Sequence, residues 1–228
     1  MRAEKNMSVH HGQDHYPVMV WDLPTRLFHW LLVLAVAGAV VSAMLGGLAM
    51  IWHARAGFAV LALVVFRLAW GFAGNRQARF SDFVAGPGAV LAYAKAMVNG
   101  KALAWLGHNP MGGWSILAML AALLVQAGTG LFANDDIFIQ GPLADRVSDA
   151  TGILLSRIHL INRWILVSLI GLHLAAVAFY LTIKGENLIT PMLTGCKRWH
   201  EAVPDAGHPW RALPIALAAA LVVYFVAR

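Results

Sequence analysis

Four long stretches of apolar residues, and a fifth shorter one, divide the chain into predicted membrane spans. They cover residues 27–52, 52–72, 113–133, 158–183 and 212–227. A helix needs about 20 mostly apolar residues to cross the hydrocarbon core of a bilayer, so the first four stretches are predicted transmembrane helices. The fifth has only about sixteen residues; we interpret it as a further span, and the alternative is a helix that lies partly in the interface.

Polar and helix-breaking residues mark the ends of these spans. Asp22 and Pro24 precede the first stretch, and proline in the first helical turn gives up only an N–H that would have no helical partner. We therefore expect the first helix to begin near Pro24, and Gly46 and Gly47 to form the turn before the second. In the long connection after the second span, Pro87 precedes apolar residues mixed with lysines, which predicts an amphipathic helix on the membrane surface.

The first 20 residues are polar and lack the basic start, apolar core and cleavage site of a secretory signal. We interpret 1–20 as a cytoplasmic tail, 21–185 as the main membrane domain, and 186–228 as a cytoplasmic connection followed by the fifth span. With the N-terminus inside, most Lys and Arg residues of the connections lie on the cytoplasmic side, as the positive-inside rule requires. The tail also carries four residues that could bind a metal, although a flexible polar tail is the simpler interpretation: His10, His11, Asp14 and His15.

Composition excludes several classes of protein. Hydrophobic residues make up 60% of the chain and charged residues 12%, which is too little charged surface for a soluble globule. The net charge of +6 does not indicate nucleic-acid binding, because the basic residues are spread between apolar stretches. The single cysteine, Cys196, excludes an intrachain disulfide, a four-thiolate iron–sulfur cluster and the covalent attachment of a c-type haem. Any haem must therefore be held noncovalently.

Four histidines lie in or at the ends of the spans, where ionisable residues are expensive and usually functional. His159 and His173 are fourteen residues apart on one helix, which gives about 21 Å of rise on nearly the same face. His53 begins the second span at the outer side, and His29 begins the first span at the inner side. Matching the depths pairs His53 with His159 and His29 with His173, and each pair could clamp one haem iron. We therefore expect two bis-histidine haems; a metal-ion or proton pathway is the alternative, and any one histidine could have only a packing role.

Arginines near the same two depths are predicted to pair with the propionate carboxylates of the haems. Arg67 follows His53 by fourteen residues on nearly the same face, so it reaches the inner level. Arg26 is a second inner candidate. The outer candidates are Arg55, Arg157 and Arg163.

Several segments resemble the bacterial cytochrome b561 family, and within it the nickel-hydrogenase-type b cytochrome branch. They are WDLPTRLFHW at 21–30, WHARAGF and FRLAWG within 52–71, GHNPMGGWS at 107–115, and IHLINRW at 158–164 with the later histidine at 173. The resemblance covers about residues 17 to 185. It implies a four-helix diheme core in the bacterial cytoplasmic (inner) membrane, with haem b held by His29, His53, His159 and His173. The chain is thus predicted to be an all-α, integral-membrane, four-helix haem-binding bundle with a fifth C-terminal transmembrane helix, where a partner subunit could dock.

Iron with histidine at both axial positions has no open site for a substrate, so the haems are expected to relay single electrons. The first hypothesis is an electron-transfer subunit that connects quinone or quinol with a periplasmic redox protein, such as a hydrogenase or a c-type cytochrome. His108 and Asn109 are the quinone candidates, and the alternative is a turn that only caps the third span. A stand-alone oxidoreductase that passes electrons from a small reductant such as superoxide to quinone is a second hypothesis, and a haem-free transporter or anchor is a third. Formation of a homodimer stays open.

Overall fold

A computed structural model describes residues 16–101, 104–134, 140–200 and 209–228. The helices of these parts are, in chain order, α1 (Leu23–Leu45), α2 (Met50–Ala73), α3 (Phe80–Phe83), α4 (Pro87–Val98), α5 (Pro110–Gly130), α6 (Asp149–Thr182), α7 (Ile189–Thr194) and α8 (Ala212–Val226). Two short strands, β1 (Tyr16–Met19) and β2 (Cys196–Trp199), pair antiparallel. Five of the described helices, α1, α2, α5, α6 and α8, are long and apolar enough to cross a membrane. The predicted helical membrane bundle, including its fifth long apolar helix, is confirmed.

The predicted start of α1 is also confirmed. The side chain of Asp22 accepts a hydrogen bond from the backbone N–H of Thr25 at 2.8 Å, and Pro24 lies in the first turn. The helix ends at Leu45, before the end of the apolar stretch, because Gly46 adopts φ 64°, a conformation that favours glycine. Gly46 and the short turn after it lead into α2.

The α6 helix is longer than predicted. It begins at Asp149, nine residues before the apolar stretch, and Ser148 caps it by accepting a hydrogen bond from the backbone N–H of Thr151 at 3.4 Å. Its 34 residues correspond to about 51 Å, whereas the hydrocarbon core is about 30 Å thick. The polar first turns of α6 therefore extend beyond the hydrocarbon region, which is why apolar length alone did not predict them.

The α2 helix is at the centre of the bundle. It packs closely against α1, α5 and α8, and α6 packs closely against α5. At mid-height, an apolar layer joins α2, α5 and α6 through Val60, Val64, Leu123 and Leu166. This layer separates the two levels at which the histidines lie.

The connections at the end of the bundle where α1 begins, called the inner end after the predicted orientation, contain elements of two kinds. A helix follows Pro87 as predicted: this is α4, which buries Tyr93 and exposes Leu91 and Val98. Its position on the membrane surface stays a prediction. The β1–β2 pair was not predicted: β1 lies within the segment 1–20 that was interpreted as a polar tail, and its pairing with β2 ties that segment to the connection after α6. The four tail residues from His10 to His15 that could bind a metal lie outside the described parts of the chain.

Candidate functional site

The outer histidine pair lies between α2 and α6. The ring centroids of His53 and His159 are 6.1 Å apart. The Nδ1 atom of His53 is 2.9 Å from the carbonyl oxygen of Ala39, and that of His159 is 2.9 Å from the carbonyl oxygen of Gln126. A carbonyl oxygen can only accept, so Nδ1 of each ring carries the proton and donates it. Each Nε2 therefore keeps a free lone pair, the form in which imidazole binds a metal.

Polar residues of α5 and α6 support His159. The Nδ2 atom of Asn162, one turn further along α6, donates to the side-chain oxygen of Gln126 at 2.7 Å and to the carbonyl oxygen of Ala122 at 2.9 Å. The hydroxyl of Thr129 lies 3.3 Å from Nδ1 of His159. The sequence analysis did not identify these residues. The signal that could have identified Asn162 is its position, since it is an amide side chain within an apolar span, three residues after His159.

The inner histidine pair lies between α1 and α6. The ring centroids of His29 and His173 are 6.5 Å apart, with 56° between the planes. The rings of His29 and Trp30 meet edge to face, with centroids 4.9 Å apart and 90° between the ring planes. The Nδ1 atom of His29 is buried and has no hydrogen-bond partner in the part of the chain that the structure describes.

Both separations can be compared with what a shared metal requires. Two metal–imidazole bonds of about 2 Å each, together with the distance from each nitrogen to its ring centre, give roughly 6 Å between the ring centroids. The observed 6.1 Å and 6.5 Å agree with that distance. Gly57, one turn after His53, has no atom within 4 Å of where a Cβ would lie, which leaves space for a flat group beside the outer pair. The two histidine pairs therefore fit two bis-imidazole metal centres.

Arg67 is a buried charge near the inner end of α2. Only 3% of the residue is exposed, and its guanidinium carbon lies 5.1 Å from the ring centroid of Phe80 and 5.8 Å from that of Phe83. Gly71 makes this contact possible, because a Cβ there would overlap the Phe80 ring. Within the described ranges, the Nη1 atom of Arg67 has no hydrogen-bond partner and Arg67 forms no ion pair.

His108, in the loop before α5, lies between two aromatic rings. Its ring centroid is 4.4 Å from that of Trp21 and 4.8 Å from that of Phe83. Its Nδ1 atom is buried without a partner among the residues described. Burial, with smaller contributions from the neighbouring Arg67 and His173, lowers the pKa of His108 to about 3. The ring is therefore neutral near pH 7.

Asn109 confirms the helix-capping interpretation of its loop. Its Oδ1 accepts a hydrogen bond from the backbone N–H of Gly112 at 2.8 Å, which caps α5. Its Nδ2 donates to the hydroxyl of Tyr180 at 2.8 Å, and that hydroxyl lies 2.9 Å from the hydroxyl of Tyr93. The tyrosine pair was not predicted, because Tyr93 and Tyr180 are 87 residues apart in the chain.

Arg26 has a contact that holds the inner connection in place. Its Nη1 atom donates to the carbonyl oxygen of Leu193 at 2.6 Å, next to a second bond from Trp30 Nε1 to the carbonyl oxygen of Met192 at 3.2 Å. These bonds fix α7 against the first turns of α1.

The outer arginine candidates are exposed at the other end of the bundle. The guanidinium carbon of Arg55 lies 4.8 Å from the ring centroid of Trp52, and that of Arg163 lies 5.1 Å from the ring centroid of Trp164. Such contacts are favourable cation–π interactions and are typical of the membrane interface. Arg157 precedes His159 by two residues on α6.

A multi-pass helical bundle that brings imidazoles from different helices together in pairs is an arrangement that can hold a metal group between its helices. Residues 20–195 match the family described as prokaryotic cytochrome b561, and the chain belongs to that family. The chain is 25% identical over 244 residues to a probable Ni/Fe-hydrogenase B-type cytochrome subunit of Azotobacter chroococcum mcd 1, an alignment that covers 90% of this chain and 100% of that protein. No solved structure matches the chain. Membership of a b-type cytochrome family implies haem b as the cofactor and electron transfer as the function.

Proposed function

We propose that the chain is a diheme b-type cytochrome that transfers electrons across the cytoplasmic membrane, between quinone or quinol and a periplasmic redox partner. The observation that carries this proposal is the presence of two histidine pairs, with ring centroids 6.1 Å and 6.5 Å apart. On α6 the two levels are separated by fourteen residues, or about 21 Å of helix. Each histidine pair would hold one haem b, which would supply single-electron transfer.

The chain's own groups prepare the ligands. The hydrogen bonds from Nδ1 of His53 and His159 to main-chain carbonyl oxygens fix the tautomer, orient the rings and raise the basicity of Nε2. Between the levels, the apolar layer around Val64 and Leu166 excludes water from the centre of the bundle.

Quinone and the redox partner are assigned to opposite ends of the bundle. With the N-terminus in the cytoplasm, the loop that carries the quinone candidates His108 and Asn109 lies at the inner end, near His173. The similarity to a probable Ni/Fe-hydrogenase B-type cytochrome subunit favours a hydrogenase as the partner at the opposite end, and a c-type cytochrome is the other candidate.

The test is the haem content of the purified protein. Haem per polypeptide and reduced-minus-oxidised spectra are measured in detergent for the wild type, His53→Ala and His173→Ala, with His200→Gln as a control. We expect two noncovalent haems in the wild type and the control, and the loss of one haem in each variant. The two variants should lose components of different midpoint potential. A wild type without haem would overturn the proposal, and a single haem would remove one of the two proposed centres.

A further inference from the structure

Unpaired polar atoms gather at the inner end of the bundle. Among the described residues, the buried side-chain nitrogen and oxygen atoms without a hydrogen-bond partner are Thr25 Oγ1, Arg26 Nε, His29 Nδ1, Arg67 Nη1 and His108 Nδ1. All belong to the start of α1, the last turns of α2 or the loop before α5, which lie at the same end. Because buried polar groups in folded proteins nearly always have a partner, these atoms indicate where a further polar group binds.

Two of these atoms share one aromatic neighbour. Phe83 contacts both the guanidinium of Arg67, at 5.8 Å, and the ring of His108, at 4.8 Å. The Arg67 guanidinium also packs on Phe80, so the two rings limit the directions in which it can turn. Two unpaired atoms beside Phe83 can therefore donate: Nη1 of Arg67 and, in the neutral tautomer that carries its proton there, Nδ1 of His108.

The charge of Arg67 decides what kind of group fits. An arginine that is 3% exposed inside a membrane bundle is strongly unfavourable without a nearby negative charge. Asp22 is near enough to attract the Arg67 charge but forms no ion pair with it among the described residues. One carboxylate oxygen of Asp22 accepts from the backbone N–H of Thr25 and the other from Trp70 Nε1 at 3.2 Å. A neutral quinone carbonyl would add no negative charge beside Arg67, whereas a carboxylate would add one within hydrogen-bond reach and accept from both donors.

We propose that Arg67 and His108 together hold one propionate carboxylate of the inner haem, so that His108 anchors the cofactor instead of contacting quinone. The inference rests on the proposed function, because it needs a haem between His29 and His173. His108 and Arg67 both contact Phe83 at the end of the bundle where His29 lies, which agrees with the inner level. Under this proposal Asn109 is the remaining quinone candidate of the loop.

The experiment compares charge-removing and donor-keeping variants of the full-length protein. Arg67→Gln removes the charge, Arg67→Lys keeps it, His108→Phe removes the donor and His108→Gln keeps one. Arg76→Gln, at an exposed arginine just after α2, and His200→Gln are the matched controls. The readouts are haem per polypeptide, the midpoint potential of each haem from a redox titration, and the KM for a soluble quinol.

Reduction of the iron adds negative charge, so a propionate without its cation disfavours the reduced state. For Arg67→Gln we expect at least a tenfold decrease in the ratio of reduced to oxidised inner haem at a fixed potential, which is about 59 mV for one electron. His108→Phe should shift the inner haem in the same direction by less, and His108→Gln and Arg67→Lys should restore much of the wild-type value. The outer haem and both control variants should keep wild-type potentials.

Two results would overturn the inference. One is an inner-haem potential that is the same in Arg67→Gln and His108→Phe as in His108→Gln, the controls and the wild type. The other is a raised KM for quinol in His108→Phe with both potentials unchanged, which would assign His108 to quinone. If Arg67→Gln does not assemble, the inner-haem potentials of His108→Phe and His108→Gln still test the inference, because only the first of these variants should differ from the wild type. A wild type that binds no haem would overturn the proposed function itself, so the two failures are distinguishable.

Discussion

Gly130, the last residue of α5, lies directly against the ring of His159 on α6. A Cβ atom on Gly130 would be 3.2 Å from Cε1 and 3.4 Å from Nδ1 of that ring, closer than side chains normally approach. The first prediction is that Gly130→Ala moves the ring by a few tenths of an ångström and weakens its 2.9 Å hydrogen bond to the Gln126 carbonyl. The low-spin electron paramagnetic resonance signal and the midpoint potential of the outer haem should change, and those of the inner haem should not.

Gly128→Ala is the matched control for that change. Gly128 lies two residues earlier on the same helix, and a Cβ there would meet no atom within 4 Å. Both substitutions add one methyl group to the last turn of α5, and only that at residue 130 meets the His159 ring, so a difference between them reports this contact. Equal spectra for the two variants would show that the ring tolerates the extra methyl group.

The histidine pairs were predictable because two fixed lengths constrain them. The rise of a helix sets the depth difference between His159 and His173, and the thickness of the membrane sets the depths at which His29 and His53 begin their spans. The structure brings the same pairs together that depth matching selected. The capping of α1 by Asp22 and of α5 by Asn109 was equally readable, since a cap is a local feature of a few residues.

Contacts between distant segments were not predictable in the same way. The four-residue strands β1 and β2 are too short for a convincing alternating pattern, and nearly the whole chain separates them. The aromatic surroundings of Arg67 depend on how the chain reverses after α2, and Phe80 can approach only because residue 71 is glycine. The hydrogen bond between Asn162 and Gln126 depends on the relative rotation of α5 and α6, which hydropathy does not determine.

The second prediction concerns that hydrogen bond. Asn162→Leu leaves the side-chain oxygen of Gln126 without its 2.7 Å donor in the core of the bundle. We expect a loss of about 1 kcal/mol in the free energy of unfolding, in the range measured for interhelical hydrogen bonds in membrane proteins. The measurement is denaturation in mixed detergent micelles, followed by circular dichroism.

The double variant Gln126→Leu with Asn162→Leu provides the control. Replacement of both partners by apolar groups of similar size leaves no unpaired polar atom, so it should be less destabilising than the sum of the single changes. Additive losses would show that the two side chains are not coupled.

The third prediction is a graded loss of stability at Asp22, which is 5% exposed. Asp22→Ala removes the acceptor for the Thr25 N–H and for Trp70 Nε1, and we expect a loss of about 1–3 kcal/mol in the free energy of unfolding. Asp22→Asn keeps one acceptor oxygen for the cap and should lose less. Asp82→Ala, at an exposed carboxylate in α3, should change stability little. A loss at Asp82 as large as at Asp22 would contradict the assignment of the cap and the tryptophan bond.

The fourth prediction tests the orientation of the chain in the membrane. Cys196 is the single cysteine of the sequence, and it is exposed on β2, at the end of the bundle where α1 begins. The positive-inside rule assigns this end to the cytoplasm, so a membrane-impermeant maleimide should label Cys196 in inside-out vesicles and not in right-side-out vesicles or intact spheroplasts. Cys196→Ala should remove all labelling, and Arg146→Cys in that background, at an exposed position of the opposite end, should reverse the pattern. Labelling of Cys196 from outside in intact spheroplasts would invert the topology, and with it would move the hydrogenase or c-type cytochrome partner to the end that carries His29 and His173.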